Sequence, residues 1–129
     1  MENKYSILIV DDDEFLLDMY SLKFRQSGFK VEACFGGQEA LEKIRGGFKP
    51  DVVLFDLVMP NMDGFEFLRS LKKENLPEGS KLIILSNLGQ KEDVEKGLSL
   101  GANDYIVKAY FTPSEVLAKV ISLLEKDKS

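Results

Sequence analysis

Five short apolar runs, each followed by a segment of helical periodicity, constrain this chain more than any other feature. The runs at 6–10, 51–55 and 81–86 are nearly continuous Ile, Leu, Val and Phe, the composition of strands buried on both faces. The run at 30–35 alternates Val31, Ala33 and Phe35 with polar neighbours and reads as a more exposed strand. Asp104-Tyr105-Ile106-Val107 reads as the fifth. Between and after them, apolar residues recur at helical spacing: Phe15, Met19 and Leu22; Ala40, Leu41 and Ile44; Phe65, Leu68 and Leu71; Val94 and Leu98 with Lys91; Leu117, Val120, Ile121 and Leu124. These stripes, with Phe67, are expected to be core. Gly28, Gly46-Gly47, Pro77-Glu78-Gly79 and Gly101 supply the stops.

Two helix starts are legible. Asp13 is placed to cap the first helix. Thr112-Pro113-Ser114-Glu115 reads as a capping box, with Thr112 as N-cap, Pro113 first in the helix and Glu115 reaching back. The polar tail, 125–129, is expected to fray. Strict strand–helix alternation predicts an α/β fold: a doubly wound parallel sheet with helices on both faces, joined by right-handed crossovers. The expectation is one domain, 1–129, with its core at about 5–125.

Composition narrows the function classes. Seventeen basic against 22 acidic residues leave a net charge of −5, which disfavours nucleic acid and anionic membranes as partners. The absence of histidine removes the commonest metal ligand and general base. The single cysteine, Cys34, has no internal disulfide partner and falls in a strand, where an inert core thiol is expected. The apolar run at 7–10 is too short for a signal peptide and no segment reaches membrane-span length, so a cytoplasmic location is the expectation.

Four of the five runs end in a chemically capable side chain: Asp11 with Asp12, Asp56, Ser86 and Lys108. In a parallel sheet these ends share one edge, where α/β folds place their ligands. Taken alone, each has a plainer reading: an Asp after a strand is more often a turn or cap, Ser86 a loop hydroxyl, Lys108 a solvated charge. Their shared edge reverses that reading. Clustered carboxylates repel one another, and a hard divalent cation relieves the repulsion. Oxygen-only ligands suit Mg²⁺, with Mn²⁺ as the alternative, and leave room for a phosphoryl group. Ser86 and Lys108 would cradle that group's oxygens, and Asp56 could attack phosphorus to give an aspartyl phosphate.

The same residues carry a resemblance. Val10-Asp11-Asp12, the strand-end Asp56 followed by Met59-Pro60 and Gly64, the strand-end Ser86 and the strand-end Lys108 resemble the response-regulator receiver family, in order and spacing, from about Ser6 to Leu124. The resemblance implies a flavodoxin-like fold of five strands in order 2-1-3-4-5 and five helices. It makes Asp56 the phospho-acceptor, fed by a sensor histidine kinase or phosphotransfer protein. It makes Asp11, Asp12, Asp56 and the Val58 backbone carbonyl the Mg²⁺ ligands, Ser86 the switch hydroxyl and Lys108 the phosphate-contacting base. Tyr105 matches the family's aromatic switch position, and the face of the fourth helix, fifth strand and last helix would meet an output protein. Such a domain slowly loses its own phosphoryl group and is not a turnover enzyme.

Departures from the family's pattern are specific. Ala109 follows Lys108 where the family usually has a cis-linked proline. A cis non-proline bond costs about 3–4 kcal/mol, so either that geometry is kept under strain or the loop through Tyr110-Phe111-Thr112 is rebuilt. Asn87 stands where a small residue is frequent, and with Val58 it is expected to set how fast the phosphoryl group is lost. Three rival functions make different demands on these positions. An aspartate-nucleophile phosphohydrolase needs a second Asp two residues after the first, where this chain has Val58. A flavin-binding protein needs a phosphate loop where this chain has three consecutive Asp. A receiver-like scaffold that works without phosphate keeps the fold and drops the chemistry.

Overall fold

The computed structural model describes residues 5–76 and 78–126. Pro77, part of the expected helix stop, and most of the polar tail lie outside them. The strands are β1 (Ser6–Val10), β2 (Lys30–Cys34), β3 (Val52–Phe55), β4 (Lys81–Ser86) and β5 (Asp104–Val107). They form one parallel sheet in the order β2-β1-β3-β4-β5, as the family resemblance implies. The helices are α1 (Glu14–Gln26), α2 (Gly37–Arg45), α3 (Gly64–Lys73), α4 (Lys91–Ser99) and α5 (Pro113–Lys126). No helix among the described residues is long and apolar enough to cross a membrane.

Strand alternation divides the core into two layers. Leu8, Val10, Val53, Phe55, Ile84 and Tyr105 face α2, α3 and α4, whereas Ile7, Ile9, Leu54, Ile83, Leu85 and Ile106 face α1 and α5. Every residue of β3 is buried, so that strand is the stiff centre of the sheet. Burying each such side chain stabilises the fold by about 1.5–3 kcal/mol.

The helices correct the sequence reading in three places. On α1 two residues of the expected stripe face outward, Phe15 75% and Leu22 57% exposed, while Met19 is half-buried against the core. Leu17, Tyr20 and Phe24 point inward instead. Both sets have helical spacing on opposite faces, and the inner one wins because Phe24 meets Phe29 edge-on at 5.0 Å in the core. On α5 the stripe is centred one residue earlier, on Val116, Val120 and Leu124, with Leu117 and Ile121 only half-buried. On α4 the buried residue is Gly97, while Leu98 is 45% exposed. The capping box forms as read: the Glu115 N–H donates to Thr112 Oγ1 at 3.2 Å, and the Thr112 N–H to Glu115 Oε1 at 2.8 Å.

Candidate functional site

Strand register delivers the polar side chains to one place. Val10 pairs with Phe55, so Asp11 and Asp56 emerge side by side, and the Asp56 N–H donates to the Val10 carbonyl at 3.0 Å. Ser86 pairs with Val107, which puts Lys108 one step beyond it. A 3₁₀ turn, Lys108–Tyr110, starts there, so the loop beside Ala109 is locally helical. From it the Lys108 ammonium donates to Asp56 Oδ2 at 2.7 Å and to Asp11 Oδ2 at 2.8 Å.

The other carboxylate oxygens are held by backbone. Asp56 Oδ1 accepts the Leu57 N–H at 2.7 Å and the Val58 N–H at 3.3 Å. Asp11 Oδ1 accepts the Asp13 N–H at 2.9 Å, and Asp13 in turn caps α1 by accepting the Leu16 N–H at 3.1 Å. Asp11 and Asp56 are buried and Asp12 is exposed, yet all three offer an oxygen within 4.8 Å of the others. This all-oxygen donor set fits a hard divalent cation. Gly64 makes the turn beneath Asp56 possible. A Cβ there would lie 2.4 Å from the Asp56 carbonyl oxygen and 2.6 Å from Leu57 Cα, and the Gly64 N–H donates to the Leu57 carbonyl at 2.8 Å. The sequence marks Asp63-Gly64 as a turn but carries no sign of that close approach.

Electrostatics at the site oppose one another. Burial pushes the Asp11 carboxyl above its usual range, and the Asp56 charge adds to that, outweighing the hydrogen bonds from Lys108 and the Asp13 N–H. Burial alone would lower Lys108, but its bonds to Asp11 and Asp56 outweigh it and hold the ammonium above its usual range. The Lys108 ammonium therefore does not fully offset the cost of burying the Asp11 carboxylate.

On the other side of the cleft, Ser86 is fully buried, and its Oγ accepts the Leu88 N–H at 3.3 Å. The Tyr105 ring lies inward, only 9% exposed, and its hydroxyl donates to the Leu88 carbonyl. Leu88 thus links the two expected switch residues through its backbone, a role with no sequence signal. Burial first, then the Asp93 and Asp56 charges, pushes the Tyr105 phenol up to about 12. Between the two sides lies a cleft of about 520 Å³, walled by Asp11, Asp12, Asp56, Ser86 and Lys108 with Val58 and Asn87. Cys34 is a buried free thiol whose pKa is raised to about 12, chiefly by burial, as an inert core position requires.

With that geometry in view, the pattern of the response regulator receiver domain family matches residues 7–121. The chain is 36% identical over 121 residues, 94% of its length, to the DNA-binding response regulator MtrA of Mycolicibacterium paratuberculosis. It covers 52% of that protein, so the chain spans about half the length of the curated relatives it matches. Among solved structures, it resembles a CheY-like response regulator receiver domain protein from Methanospirillum hungatei, at 32% identity and a TM-score of 0.87 over 98% of both chains. It also resembles the BeF3-activated receiver domain of the Thermotoga maritima protein DrrB, at 32% identity and a TM-score of 0.82. That match covers 95% of this chain and 99% of the other.

Proposed function

The chain belongs to the response-regulator receiver family, and from that premise we propose that it is a phospho-accepting switch of two-component or phosphorelay signalling. The observation that carries this reading is the Lys108 ammonium bridging Asp56 and Asp11, with Asp12 at the rim. An Asp56 carboxylate oxygen attacks the phosphorus of a phosphohistidine on a histidine kinase or phosphotransfer protein. The new O–P bond forms as the P–N bond breaks, the imidazole leaves with the bonding pair, and an acyl phosphate remains on Asp56. Asp11, Asp12, Asp56 and the Val58 carbonyl would hold Mg²⁺, which when bound neutralises charge on the carboxylates and the phosphoryl oxygens. Lys108 and Ser86 take up phosphoryl oxygens on the other side, so most of the acceleration is positioning and charge stabilisation.

Val58 and Asn87 on the cleft wall govern how readily water reaches the acyl phosphate, so the phosphoryl group is lost slowly and the protein is a switch, not a turnover enzyme. Ser86 moving towards the phosphoryl group and locking Tyr105 in its inward seat bias the α4–β5–α5 face between two partner-binding states. The described residues work as one receiver domain. No DNA contact is proposed for them, because their charge balance is acidic. Incubation with Mg²⁺ and acetyl phosphate, or with beryllofluoride, tests the reading. Wild type is expected to gain a Mg²⁺-dependent phosphoryl group and a spectral shift, both absent in Asp56→Asn. A wild type that ignores both reagents overturns the switch in favour of a phosphate-independent scaffold.

A further inference from the structure

We infer that Gly97 is a positioning residue for Tyr105: the side chain missing from this helix position makes the seat in which the ring lies inward, and through that seat it sets how tightly the Asp56 cleft takes a phosphoryl group. The second half rests on the switch reading above; the first stands on packing alone. Gly97 lies inside α4, where glycine weakens a helix, so its presence needs a packing reason. The reason is the contact beneath it. A Cβ at Gly97 would sit 2.5 Å from Ile84 Cδ1, and 3.3 Å and 3.6 Å from Cδ2 and Cε2 of Tyr105. Ile84 and Tyr105 are cross-strand partners, and Ile84 is fully buried, so its methyl has little room to retreat except against that ring.

Besides Gly97, α4 is held by half-buried Val94 on the core and by the Lys96 ammonium 4.3 Å over the Phe65 ring. Gln90 at its N-cap makes no side-chain capping bond, and Gly97 is its one buried residue. The helix makes its one fully buried approach to the sheet at Gly97, and Ile84 Cδ1 with the edge of the Tyr105 ring fills the space this leaves. From the ring, contacts run to the cleft: the Tyr105 hydroxyl to the Leu88 carbonyl, then the Leu88 N–H to Ser86 Oγ. A ligand at Asp56 that favours the inward ring and a side chain at 97 that disfavours it must oppose each other, and by linkage the effect is reciprocal.

The test is a double-mutant cycle on the intact chain, reading Mg²⁺-dependent beryllofluoride affinity and the Tyr105 ring resonances. Gly97→Val is expected to shift the ring resonances before any ligand is added. It should also weaken beryllofluoride binding by roughly tenfold, within the usual span of coupling between sites. In a Tyr105→Ala background the same substitution should change affinity by less than about twofold, because no ring remains to be displaced. Gly97→Ala, a better helix former than glycine, keeps the helix should valine unfold it, and is expected to weaken binding in the same direction by a smaller factor. An equal loss with and without the Tyr105 ring, or an unmoved ring in both Gly97 variants, overturns the inference. If wild type itself fails to bind beryllofluoride, the switch reading falls and takes the coupling with it, while the seat is still judged by the ring resonances of ligand-free Gly97→Val.

Discussion

At the carboxyl edge of the sheet, the ends of β1 and β3 are held quite differently from the ends of β4 and β5. On the acidic side, Asp56 and Asp11 are gripped by backbone N–H groups at 2.7 Å and 2.9 Å and by the Lys108 ammonium at 2.7 Å and 2.8 Å. The adjoining helix starts at a side-chain cap, Asp13. On the switch side, Ser86 holds Leu88 by one long bond of 3.3 Å, and the helix that follows starts at Gln90 without a side-chain cap. On the proposed function, a nucleophile and its metal ligands must keep one geometry, whereas a relay needs two. The cleft thus joins a stiff wall to a compliant one, and Lys108, which leaves β5 to reach β1 and β3, is the side chain that spans both.

The sharpest way to break that contrast is to remove the spanning cation. Lys108→Ala leaves Asp11 and Asp56 facing each other in a partly dry site. The expected loss of stability is about 3 kcal/mol, the low end of what removing one partner of a buried ion pair costs, because the cleft is open to water. Urea unfolding should show the loss in full without cation and a smaller one in Mg²⁺, since a cation held by the folded state stabilises it by mass action. A loss that Mg²⁺ leaves unchanged would mean that carboxylate repulsion is not what strains the acidic wall.

Tyr105→Phe probes the compliant wall. It keeps the ring and deletes only the hydroxyl that donates to the Leu88 carbonyl, for an expected cost of about 1 kcal/mol at neutral pH. The alkaline limb gives an independent check. With its phenol raised from 10.0 to about 12, Tyr105 contributes stability that is fully present below pH 10 and is lost as pH rises through 12. Unfolding midpoints followed across that window should fall more steeply for wild type than for Tyr105→Phe. Parallel curves would mean that the phenol is no more shielded than in the unfolded chain. The variant also separates the ring's seat from its hydroxyl: if packing against Gly97 dominates, it keeps its beryllofluoride response.

The two walls were not equally legible in the sequence. Asp11, Asp56, Ser86 and Lys108 could be placed because buried parallel strands are short apolar runs, and a polar residue closing one has a single edge at which to emerge. The capping box at Thr112 was legible because side chains alone define it. Ala109 left the Lys108 loop open between two geometries, and the 3₁₀ turn keeps the ammonium within reach of both carboxylates. The inward face of α1 is not the expected one because the stripe through Phe15 and Leu22 has the same helical spacing as the core set Leu17, Tyr20 and Phe24 on the other side. The α4 contact was invisible for a deeper reason. Hydrophobic periodicity registers side chains, and Gly97 acts by having none, while Leu88 acts through its carbonyl and N–H, which every residue but proline possesses.

The smallest expected effect on stability comes from Ser86→Ala, and its smallness is what makes it informative. The hydroxyl is fully buried, so leaving it without a partner would be costly, although less so than for a carboxylate. Its bond to the Leu88 N–H is 3.3 Å, near the limit at which a hydrogen bond still counts, so deleting it should cost no more than about 0.5 kcal/mol in urea unfolding. The same deletion should abolish the shift of the Tyr105 ring resonances on beryllofluoride binding, because the Tyr105 hydroxyl meets the cleft at Ser86, both directly and by way of the Leu88 backbone. A variant that unfolds as readily as Lys108→Ala would show that Ser86 belongs to the stiff wall. One that keeps the Tyr105 shift would route the relay through β5 and Lys108 rather than through Leu88.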